Sequence, residues 1–519
     1  MKPQDWNQHR AAEMLVREVP HEGRFALGLA YANSYHVGMS SLGFQRVWEL
    51  VHRRQGWVCE RFFADGDGPL RSVESHAPLG GFGAVAFSVS FEEDYVNLLR
   101  MLGRAGLPVR RCDRGPEHPL IVVGGSCSMI NPLPLAEFVD VFALGAAENL
   151  LAGLLRALEE ESSNIAILDR LQEVPGFFVP AHHDPEAPEP MSKLEKLELS
   201  TAQMRLPGNL PTSAIITPNT EFASKYLVEM SRGCPEKCRY CWATFGMGTF
   251  RWHPTDEILA SIGDARGVTD QLGFLATAVG DHPEIETILE EVCRLGFRTS
   301  VSSIRIPAVT PGVLRALHES GDRSITLAPE TGSDGLRARM GKPVTNAMLL
   351  EKIRMIFESG FTQLKLYFIV GQPEESVDDV LAIASLASEA REIMLAQARR
   401  TGTIGHIQLG TNVLIPKPYT PWQREPFADE KSLKTKLRLL HRAVAGMPNV
   451  SMGPVSIRQA QWQAYISQAG SDAGEAIEAA AVGEGLGPVM RRFRGEIEGE
   501  IYRRKDGDLR WHFMRTASL

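Results

Sequence analysis

Three closely spaced cysteines are the residues of this chain most able to do chemistry. Cys234, Cys238 and Cys241 form a Cys-x3-Cys-x2-Cys run. Three thiolates on one short loop can hold three irons of a four-iron cluster. The next cysteine, Cys293, stands alone about fifty residues further on. One iron would therefore stay open to a substrate or cofactor, and an open iron is a chemical site rather than a simple electron carrier.

A mononuclear zinc site is the alternative interpretation of the same loop. Structural zinc normally takes four protein ligands, often with a second cysteine pair further along the chain. No such pair follows the loop, but His253 could supply a fourth ligand. The spacing favours the open cluster and leaves zinc as the alternative.

The loop resembles that of the radical S-adenosylmethionine enzymes, in which an aromatic residue often precedes the last cysteine, as Tyr240 does here. The resemblance implies a [4Fe–4S] cluster whose open iron is chelated by the amino and carboxylate groups of S-adenosylmethionine. It also implies one-electron cleavage of the sulfonium to a 5′-deoxyadenosyl radical, which takes a hydrogen atom from the substrate. The electron donor of such an enzyme would be a flavodoxin- or ferredoxin-type protein.

The segment that must position the cysteines alternates between strand and helix patterns. Apolar runs, each followed by a helical pattern, predict six strands, at 225–230, 272–279, 297–304, 324–328, 362–370 and 404–414. Six such units predict a parallel sheet that right-handed crossovers curl into a barrel, with an open doubly wound sheet as the alternative. The resemblance favours a (β/α)6 partial TIM barrel over residues 223–446. The cysteine loop follows the first strand, so it would lie at the carboxyl ends, where barrel enzymes keep their chemistry.

Other loops at that end provide candidate cofactor-binding residues through the same resemblance. Gly280 follows the second strand, where the family contacts the methionine amino group, and its neighbour His282 is expected to be a loop or capping residue. Glu330 follows the fourth strand and is placed for a ribose hydroxyl or the cofactor's amino group. Gly371 follows the fifth, where a bare backbone lets adenine approach. Arg305, at the end of the third strand, could bind the cofactor carboxylate, although a structural role is equally open.

Residues 1–160 contain a second strand–helix series. Strands predicted at 25–31, 57–62, 83–90, 120–125 and 139–144 indicate a doubly wound, Rossmann-like domain. The pattern resembles the cobalamin-binding domain that precedes the radical core in one large subgroup. Ser88, Gly124 and Gly125 match that domain's serine and its glycine pair, which lets the nucleotide tail approach. His36 lies in the first loop, but without the Asp-x-His-x-x-Gly pattern of a cobalt ligand, so we expect it to form a loop hydrogen bond. Bound cobalamin and an empty Rossmann scaffold both stay open.

Two further regions complete the predicted organisation. Residues 161–222 form a linker, and its proline-rich stretch around His182 and His183 is expected to be extended and exposed rather than metal-binding. Residues 447–519 are predicted to be mainly helical and to cap the open side of the barrel.

The composition agrees with a soluble enzyme. Hydrophobic residues make up 44% of the chain and charged residues 23%, which is ordinary for a globular protein. The net charge of −8 gives no support for a nucleic-acid or membrane-surface protein. No apolar run reaches the length of a membrane helix, and the polar N-terminus leads into no signal core. Seven scattered cysteines indicate a reducing compartment, so we expect a cytoplasmic protein.

The leading functional hypothesis is a radical S-adenosylmethionine enzyme that uses cobalamin to transfer a methyl group to an unreactive carbon. An alternative is a radical enzyme without cobalamin, for rearrangement, oxidation or sulfur insertion. Sulfur insertion usually requires a second cluster, and Cys59, Cys112 and Cys127 are spaced too widely for a compact motif unless folding gathers them. A non-catalytic metal-binding module is a third hypothesis, but it does not explain a cluster loop at the mouth of a six-unit sheet.

Overall fold

The computed structural model describes residues 6–182, 196–507 and 509–514. The predicted linker residue His183 and the proline-rich stretch after it lie outside the described residues. Within the described part of the chain, no helix combines the length and apolar character needed to cross a membrane. The chain forms two compact units. The first takes the described residues of 1–226, 465–500 and 507–519, and the second takes 227–464 and 501–506.

A six-stranded sheet forms the core of the first unit. Its strands are β1 (Phe25–Tyr31), β2 (Trp57–Phe63), β3 (Ala84–Ser88), β4 (Leu120–Gly124), β5 (Val141–Ala143) and β6 (Phe177–Phe178). Their order is β2-β1-β3-β4-β5-β6, parallel except for β6. The parallel strands have the flavodoxin-like order, with the switch point between β1 and β3. This confirms the predicted doubly wound domain.

Helices follow these strands because their apolar residues recur every three or four positions. In the helix after β1, the Ser41 hydroxyl accepts a hydrogen bond from the Phe44 N–H, and Phe44, Trp48 and Val51 are buried in the core. The helices of the N-terminal segment are Trp6–Ala11, Tyr35–Met39, Leu42–Arg53, Asp94–Arg104, Ser126–Ile130, Ala147–Glu160, Asn164–Gln172 and Thr201–Met204. Those of the C-terminal segment are Ile457–Gln468, Gly474–Ala479, Leu486–Arg492 and Arg494–Ile501.

The C-terminal helices divide the chain differently from the predicted boundaries. Residues 465–500 belong to the first unit, where they pack on the N-terminal domain. Asn131 Nδ2 donates to the carbonyl oxygens of Ser467 and Ala469, at 3.3 and 2.8 Å. Arg110 forms an ion pair with Glu478 at 2.6 Å. These partners lie more than 300 residues apart, and no local sequence pattern reveals them.

The predicted linker also contributes to the first unit. The Leu197 N–H donates to the Leu144 carbonyl oxygen at 3.0 Å, and the Ala146 N–H donates to the Leu197 carbonyl at 2.9 Å. The described end of the linker therefore extends the end of β5 rather than running free.

Parallel strands form the framework of the second unit. They are β7 (Tyr226–Glu229), β8 (Gln271–Leu275), β9 (Arg298–Val301), β10 (Ser324–Glu330), β11 (Gln363–Val370), β12 (His406–Val413) and β13 (Val450–Met452). They form a three-stranded sheet, β7 to β9, and a four-stranded sheet, β10 to β13. The Ile304 N–H donates to the Thr326 carbonyl oxygen at 3.3 Å, which links the chain after β9 to β10. The six predicted strands are confirmed. The short, half-exposed β13 was missed, because three residues are too few to show the alternation of apolar and polar side chains that identifies a strand.

The helices of the second unit alternate with the strands, as predicted for a series of βα units. Thr345 caps one of them through the Met348 N–H, and Leu349, Ile353 and Ile356 are its buried face. The helices are Trp242–Gly246, Thr255–Ala265, Ile285–Arg294, Pro311–Glu319, Asp334–Arg339, Asn346–Glu358, Val377–Thr401 and Glu430–Ala445.

Candidate functional site

The cysteine loop follows β7 directly and is held by a short antiparallel ribbon. Residues Ser231–Arg232 pair with Arg251–Trp252. Gly233 has a φ of 74°, and a Cβ there would lie 2.8 Å from the Gly248 carbonyl oxygen. Only glycine adopts this turn without displacing its neighbour. The chain before the first cysteine therefore sets the direction of the loop.

The three predicted cysteines are close enough for their thiols to interact electrostatically. Cys238 is buried, whereas Cys234 and Cys241 are partly exposed. Burial raises the pKa of the Cys238 thiol to about 12 and also raises the pKa of Cys241. The protein alone therefore disfavours thiolates here, and bound metal would supply the positive charge that stabilises them. Three sulfur donors on one loop fit an iron–sulfur cluster with one open iron.

The two histidines near the loop have other partners. His253, the possible fourth zinc ligand, is fully buried, and its Nε2 lies 3.3 Å from Glu229 Oε1. His282 is a capping residue, as expected, because its Nδ1 accepts from the Glu284 N–H at 3.2 Å and its Nε2 lies 2.9 Å from the His253 carbonyl oxygen. Burial lowers the pKa of His282. The structure therefore pairs His253 with a carboxylate rather than with the cysteines.

Among the described residues, no three His, Cys, Asp or Glu side chains converge on a single metal ion. The three cysteines do not form such a group either. Cluster ligands each bind a different iron at a different corner of a cube, so they are expected to lie further apart than the ligands of one ion.

Arg305 lies beside the cysteine loop, where its partners are two protein carboxylates. It forms ion pairs with Glu236, inside the loop, and with Asp281. Among the described residues, Asp281 Oδ2 is buried without a hydrogen-bond partner. Burial raises the pKa of Asp281. The carboxylate contact predicted for Arg305 is thus made within the protein, and the Asp281 carboxylate, next to the predicted Gly280, is a site group that the sequence analysis missed.

The packing around Gly280 and Gly371, the two glycines predicted at this end, explains why glycine occupies both positions. A Cβ at Gly280 would lie 2.8 Å from Ala308 Cβ. Gly371 has a φ of 90°, and its N–H donates to Glu375 Oε2 at 2.8 Å. A Cβ at Gly371 would lie 2.9 Å from Leu433 Cδ2. The fold itself therefore favours glycine at both positions, and their roles toward a cofactor stay predictions.

Glu330 ends β10 in a strained conformation next to the cysteine loop. Its φ is 68°, and the register of β10 against β11 shifts just before it. A residue other than glycine in this region costs about 1–3 kcal/mol, and such strain is common at functional sites. Glu330 Oε1 accepts hydrogen bonds from the Tyr240 hydroxyl at 2.6 Å and from Lys342 Nζ at 2.9 Å. The structure thus joins two residues that the sequence singled out and adds Lys342, which it did not.

In the first unit, the predicted serine and glycine pair meet at the carboxyl edge of the sheet. Ser88 is in register with Gly124. Gly125 has a φ of 109°, and a Cβ there would lie 2.5 Å from the Val89 carbonyl oxygen. A Cβ at Gly124 would come no closer than 3.8 Å to any described neighbour. The fold therefore requires glycine at 125, whereas at 124 a Cβ would meet only ordinary van der Waals contact with Ala143 and packing does not require glycine.

A buried carboxylate marks the switch point of the same edge. Asp94 is 1% exposed, and its Oδ1 accepts from Asn33 Nδ2 at 2.8 Å. Its Oδ2 has no hydrogen-bond partner within the described chain, and burial raises the pKa of Asp94 to about 6. Asn33 follows β1 and Asp94 follows β3, so the pair lies where doubly wound domains bind ligands. His36, by contrast, is exposed, with Nε2 at 3.4 Å from Glu221 Oε2.

Folding does not gather the three cysteines of the first unit. Cys59 lies in β2 and Cys127 just after β4, and β1 and β3 stand between those strands. Three strand spacings separate them by roughly 14 Å. Cys112 is exposed. These positions do not form a second cluster site.

Comparison with known protein families gives two matches. Residues 43–180 match a model described as radical SAM proteins, N-terminal, and residues 228–387 match the radical SAM superfamily. The second match contains the cysteine loop and the strands from β8 to β11.

Individual relatives extend this result. The chain is 24% identical over 425 residues to an uncharacterised protein of Methanocaldococcus jannaschii, covering 80% of this chain and 83% of that protein. It is 30% identical over 207 residues to the tRNA-2-methylthio-N(6)-dimethylallyladenosine synthase of Sorangium cellulosum, covering 34% of this chain and 41% of that enzyme. Among solved structures, the radical S-adenosylmethionine methyltransferase TsrM of Kitasatospora setae, with cobalamin and a [4Fe-4S] cluster bound, gives a TM-score of 0.50 at 12% identity, covering 78% of this chain and 74% of that one. This last likeness is one of fold.

Proposed function

The chain belongs to the radical S-adenosylmethionine superfamily, and from that premise we propose that it transfers a methyl group from cobalamin to an unreactive carbon of its substrate. When bound, a [4Fe–4S] cluster on Cys234, Cys238 and Cys241, with S-adenosylmethionine at its open iron, supplies a 5′-deoxyadenosyl radical. One observation carries the methyl-transfer proposal. The chain that contains this loop also contains a doubly wound unit with a glycine on its carboxyl edge, Gly124, that the packing around it does not require.

We propose that Asp281 holds the ammonium group of S-adenosylmethionine. Its buried Oδ2 has no partner among the described residues, and a carboxylate–ammonium contact is a strong, charge-assisted hydrogen bond. Arg305 would act through Asp281, since its ion pair orients that carboxylate. Gly280 and Gly371 keep their proposed backbone roles beside the methionine and adenine parts of the cofactor.

We propose that cobalamin occupies the carboxyl edge of the first unit, where it would supply the methyl group. Ser88, Gly124 and Gly125 would line the approach of its nucleotide tail. Asp94 Oδ2 would accept a hydrogen bond from one of the amide groups at the rim of the corrin, which would satisfy an oxygen that is now buried without a partner. TsrM, which shares the fold, is described as a methyltransferase with cobalamin bound.

Sulfur insertion is the second candidate, because a relative that matches 34% of this chain is a methylthio-adenosine synthase. A second cluster is the usual requirement for that reaction. Among the described residues of the first unit, Cys59 and Cys127 lie too far apart to share one, so methyl transfer is the better supported proposal.

Titration of the purified protein with hydroxocobalamin tests the proposal, with retained absorbance after gel filtration as the readout. We expect one cobalamin per chain, and we expect the Cys238→Ala variant to bind it equally, because the two sites use different residues. A protein that makes 5′-deoxyadenosine but retains no cobalamin would refute methyl transfer and leave a cobalamin-independent radical enzyme.

A further inference from the structure

We infer that Lys342 and Glu330 shift the reduction potential of the cluster on the cysteine loop in opposite directions. Lys342 favours the reduced cluster and Glu330 opposes it. Both act as positioning residues for the reaction rather than as catalytic ones. The inference depends on the cluster but not on cobalamin, methyl transfer or the identity of the substrate.

The turn that carries Lys342 is fastened to the cysteine loop through the backbone. The Arg239 N–H donates to the Met340 carbonyl oxygen at 2.8 Å. Gly341 has a φ of 75°, and a Cβ there would lie 3.1 Å from the Lys237 carbonyl oxygen. These contacts hold the turn against the residues on both sides of Cys238. Of the charged groups around the Cys238 thiol, whose pKa burial raises, the Lys342 ammonium has the largest effect and acts to lower that pKa.

Glu330, the ion-pair partner of Lys342, contacts the same loop through Tyr240. Its carboxylate accepts from the hydroxyl of Tyr240, which lies between Cys238 and Cys241. Tyr240 packs on an apolar cluster of Met340, Leu414 and Trp422. The carboxylate therefore has a fixed position relative to two of the cysteines.

A buried arginine holds both charges in place. Arg337 is fully buried, and its guanidinium donates to carbonyl oxygens that flank Glu330 and follow Lys342. The acceptors are the carbonyl oxygens of Pro329, at 3.0 Å, of Val344, at 3.1 Å, and of Thr331. The Arg337 guanidinium thus stabilises the strained backbone of Glu330 and also holds the turn that carries Lys342.

The pair lies largely out of water, with side-chain exposures of 9% for Glu330 and 14% for Lys342. Reduction of the cluster adds one negative charge, which a nearby ammonium stabilises and a nearby carboxylate destabilises. By Coulomb's law, one partly buried unit charge at a distance of several ångströms changes the ratio of reduced to oxidised cluster on the order of tenfold. A buried ion pair adds little to stability compared with apolar residues of the same size. An effect of these charges on the cluster explains why a charged residue, Glu330, occupies a strained backbone position here.

A redox titration of the anaerobically reconstituted protein tests the inference, with the EPR signal of the reduced cluster as the readout. At the midpoint potential of the wild type, Lys342→Met should lower the reduced-to-oxidised ratio about tenfold, and Glu330→Gln should raise it by a similar factor. The double variant should return close to the wild type, and Lys342→Arg should keep the wild-type midpoint. Lys352→Met, on the helix after this turn, is the matched control and should change nothing.

Shifts of opposite sign distinguish charge from damage to the structure. Equal midpoints in both single variants, or a shift of both in the same direction, would overturn the inference. If Lys342→Met takes up no cluster, Glu330→Gln decides alone: a raised midpoint supports the inference and an unchanged or lowered one overturns it. A wild-type protein that takes up no cluster would refute the proposed function and the inference together. If the protein binds no cobalamin but the two single variants still shift the midpoint in opposite directions, only methyl transfer would be refuted.

Discussion

At the cysteine loop the charged side chains form several ion pairs around the buried Asp281 Oδ2, which has no partner among the described residues, whereas the carboxyl edge of the first unit combines a glycine whose packing does not require it with the buried Asp94 Oδ2. Around the loop, Arg305 binds two carboxylates, and Glu330 binds Tyr240 and Lys342. At the other edge, a Cβ at Gly124 would make only ordinary van der Waals contact, and Asp94 Oδ2 has no partner among the described residues. The first arrangement suits a small, highly charged cofactor, and the second suits a large ligand recognised mainly by shape.

This difference means that substitutions in the two regions should fail in different ways. A change at the loop should alter metal loading, potential or S-adenosylmethionine chemistry, because charges there act on each other at short range. A change at the glycine edge should alter ligand affinity while leaving the cluster intact.

The largest effect is expected from Cys238→Ala. Removal of one of three cluster ligands should abolish 5′-deoxyadenosine formation, measured by chromatography after anaerobic reduction with dithionite. Cobalamin binding should be unchanged, which separates the two regions. Cys112→Ser, at an exposed cysteine of the first unit, is the control and should keep full product. Product formation by Cys238→Ala would refute the ligand assignment.

Arg337→Leu tests how much the fold around the loop depends on one buried group. The variant leaves several carbonyl oxygens without a donor and should lower the free energy of unfolding by about 3–5 kcal/mol. Arg339→Leu, on the same helix but with a side chain 46% exposed, should cost less than about 1 kcal/mol. Urea unfolding measures both. Equal losses would show that Arg337 does not hold the strand end together.

The neighbouring glycines of the first unit should separate stability from binding. Gly125→Ala places a Cβ against the Val89 carbonyl at a positive φ, so it should cost about 1–3 kcal/mol of stability. Gly124→Ala should leave urea unfolding nearly unchanged but weaken cobalamin binding several-fold, because its methyl group occupies ligand space. Unchanged cobalamin affinity in Gly124→Ala would remove the structural argument for a ligand at this edge.

Asp94→Asn should change stability in a pH-dependent way. Because burial raises the pKa of Asp94 to about 6, the folded state binds a proton more tightly than the unfolded state, and ionisation of the carboxyl destabilises the fold as pH rises from about 4 to 6. Asparagine avoids that cost, so the variant should be about 1–3 kcal/mol more stable than the wild type at pH 7.

The advantage of Asp94→Asn should vanish below about pH 3, where the carboxyl is protonated in both states. Asp113→Asn, at an exposed aspartate, is the control and should change stability by less than about 0.5 kcal/mol. A gain that is equal at all pH values would point to packing rather than to the titration of Asp94.

The strands, the helices and the cysteine loop were predictable, because local sequence patterns specify them. Strand–helix alternation found the five parallel strands of the first unit and six of the second, and spacing alone found the cysteines. Packing over long sequence distance was not predictable, so the contact of Asn131 with Ser467 and Ala469 placed the C-terminal helices outside the predicted boundaries.

Side-chain partners were the least predictable part of the site. The position of Arg305 beside the loop followed from its strand, but its choice of Glu236 and Asp281 depends on how three loops meet. Lys342 lies in a turn after a short helix and gives no pattern of its own. Asp94 looked like an ordinary acidic residue in the first turn of a helix, and only burial sets it apart.

The central claim is that three cysteine thiolates leave one iron of a [4Fe–4S] cluster open to S-adenosylmethionine. EPR of the reduced, anaerobically reconstituted protein, recorded with and without S-adenosylmethionine, tests it most directly. We predict that the cofactor changes the spectrum of the cluster, because it becomes a ligand of the open iron. A loaded cluster whose spectrum is identical with and without S-adenosylmethionine would contradict the account.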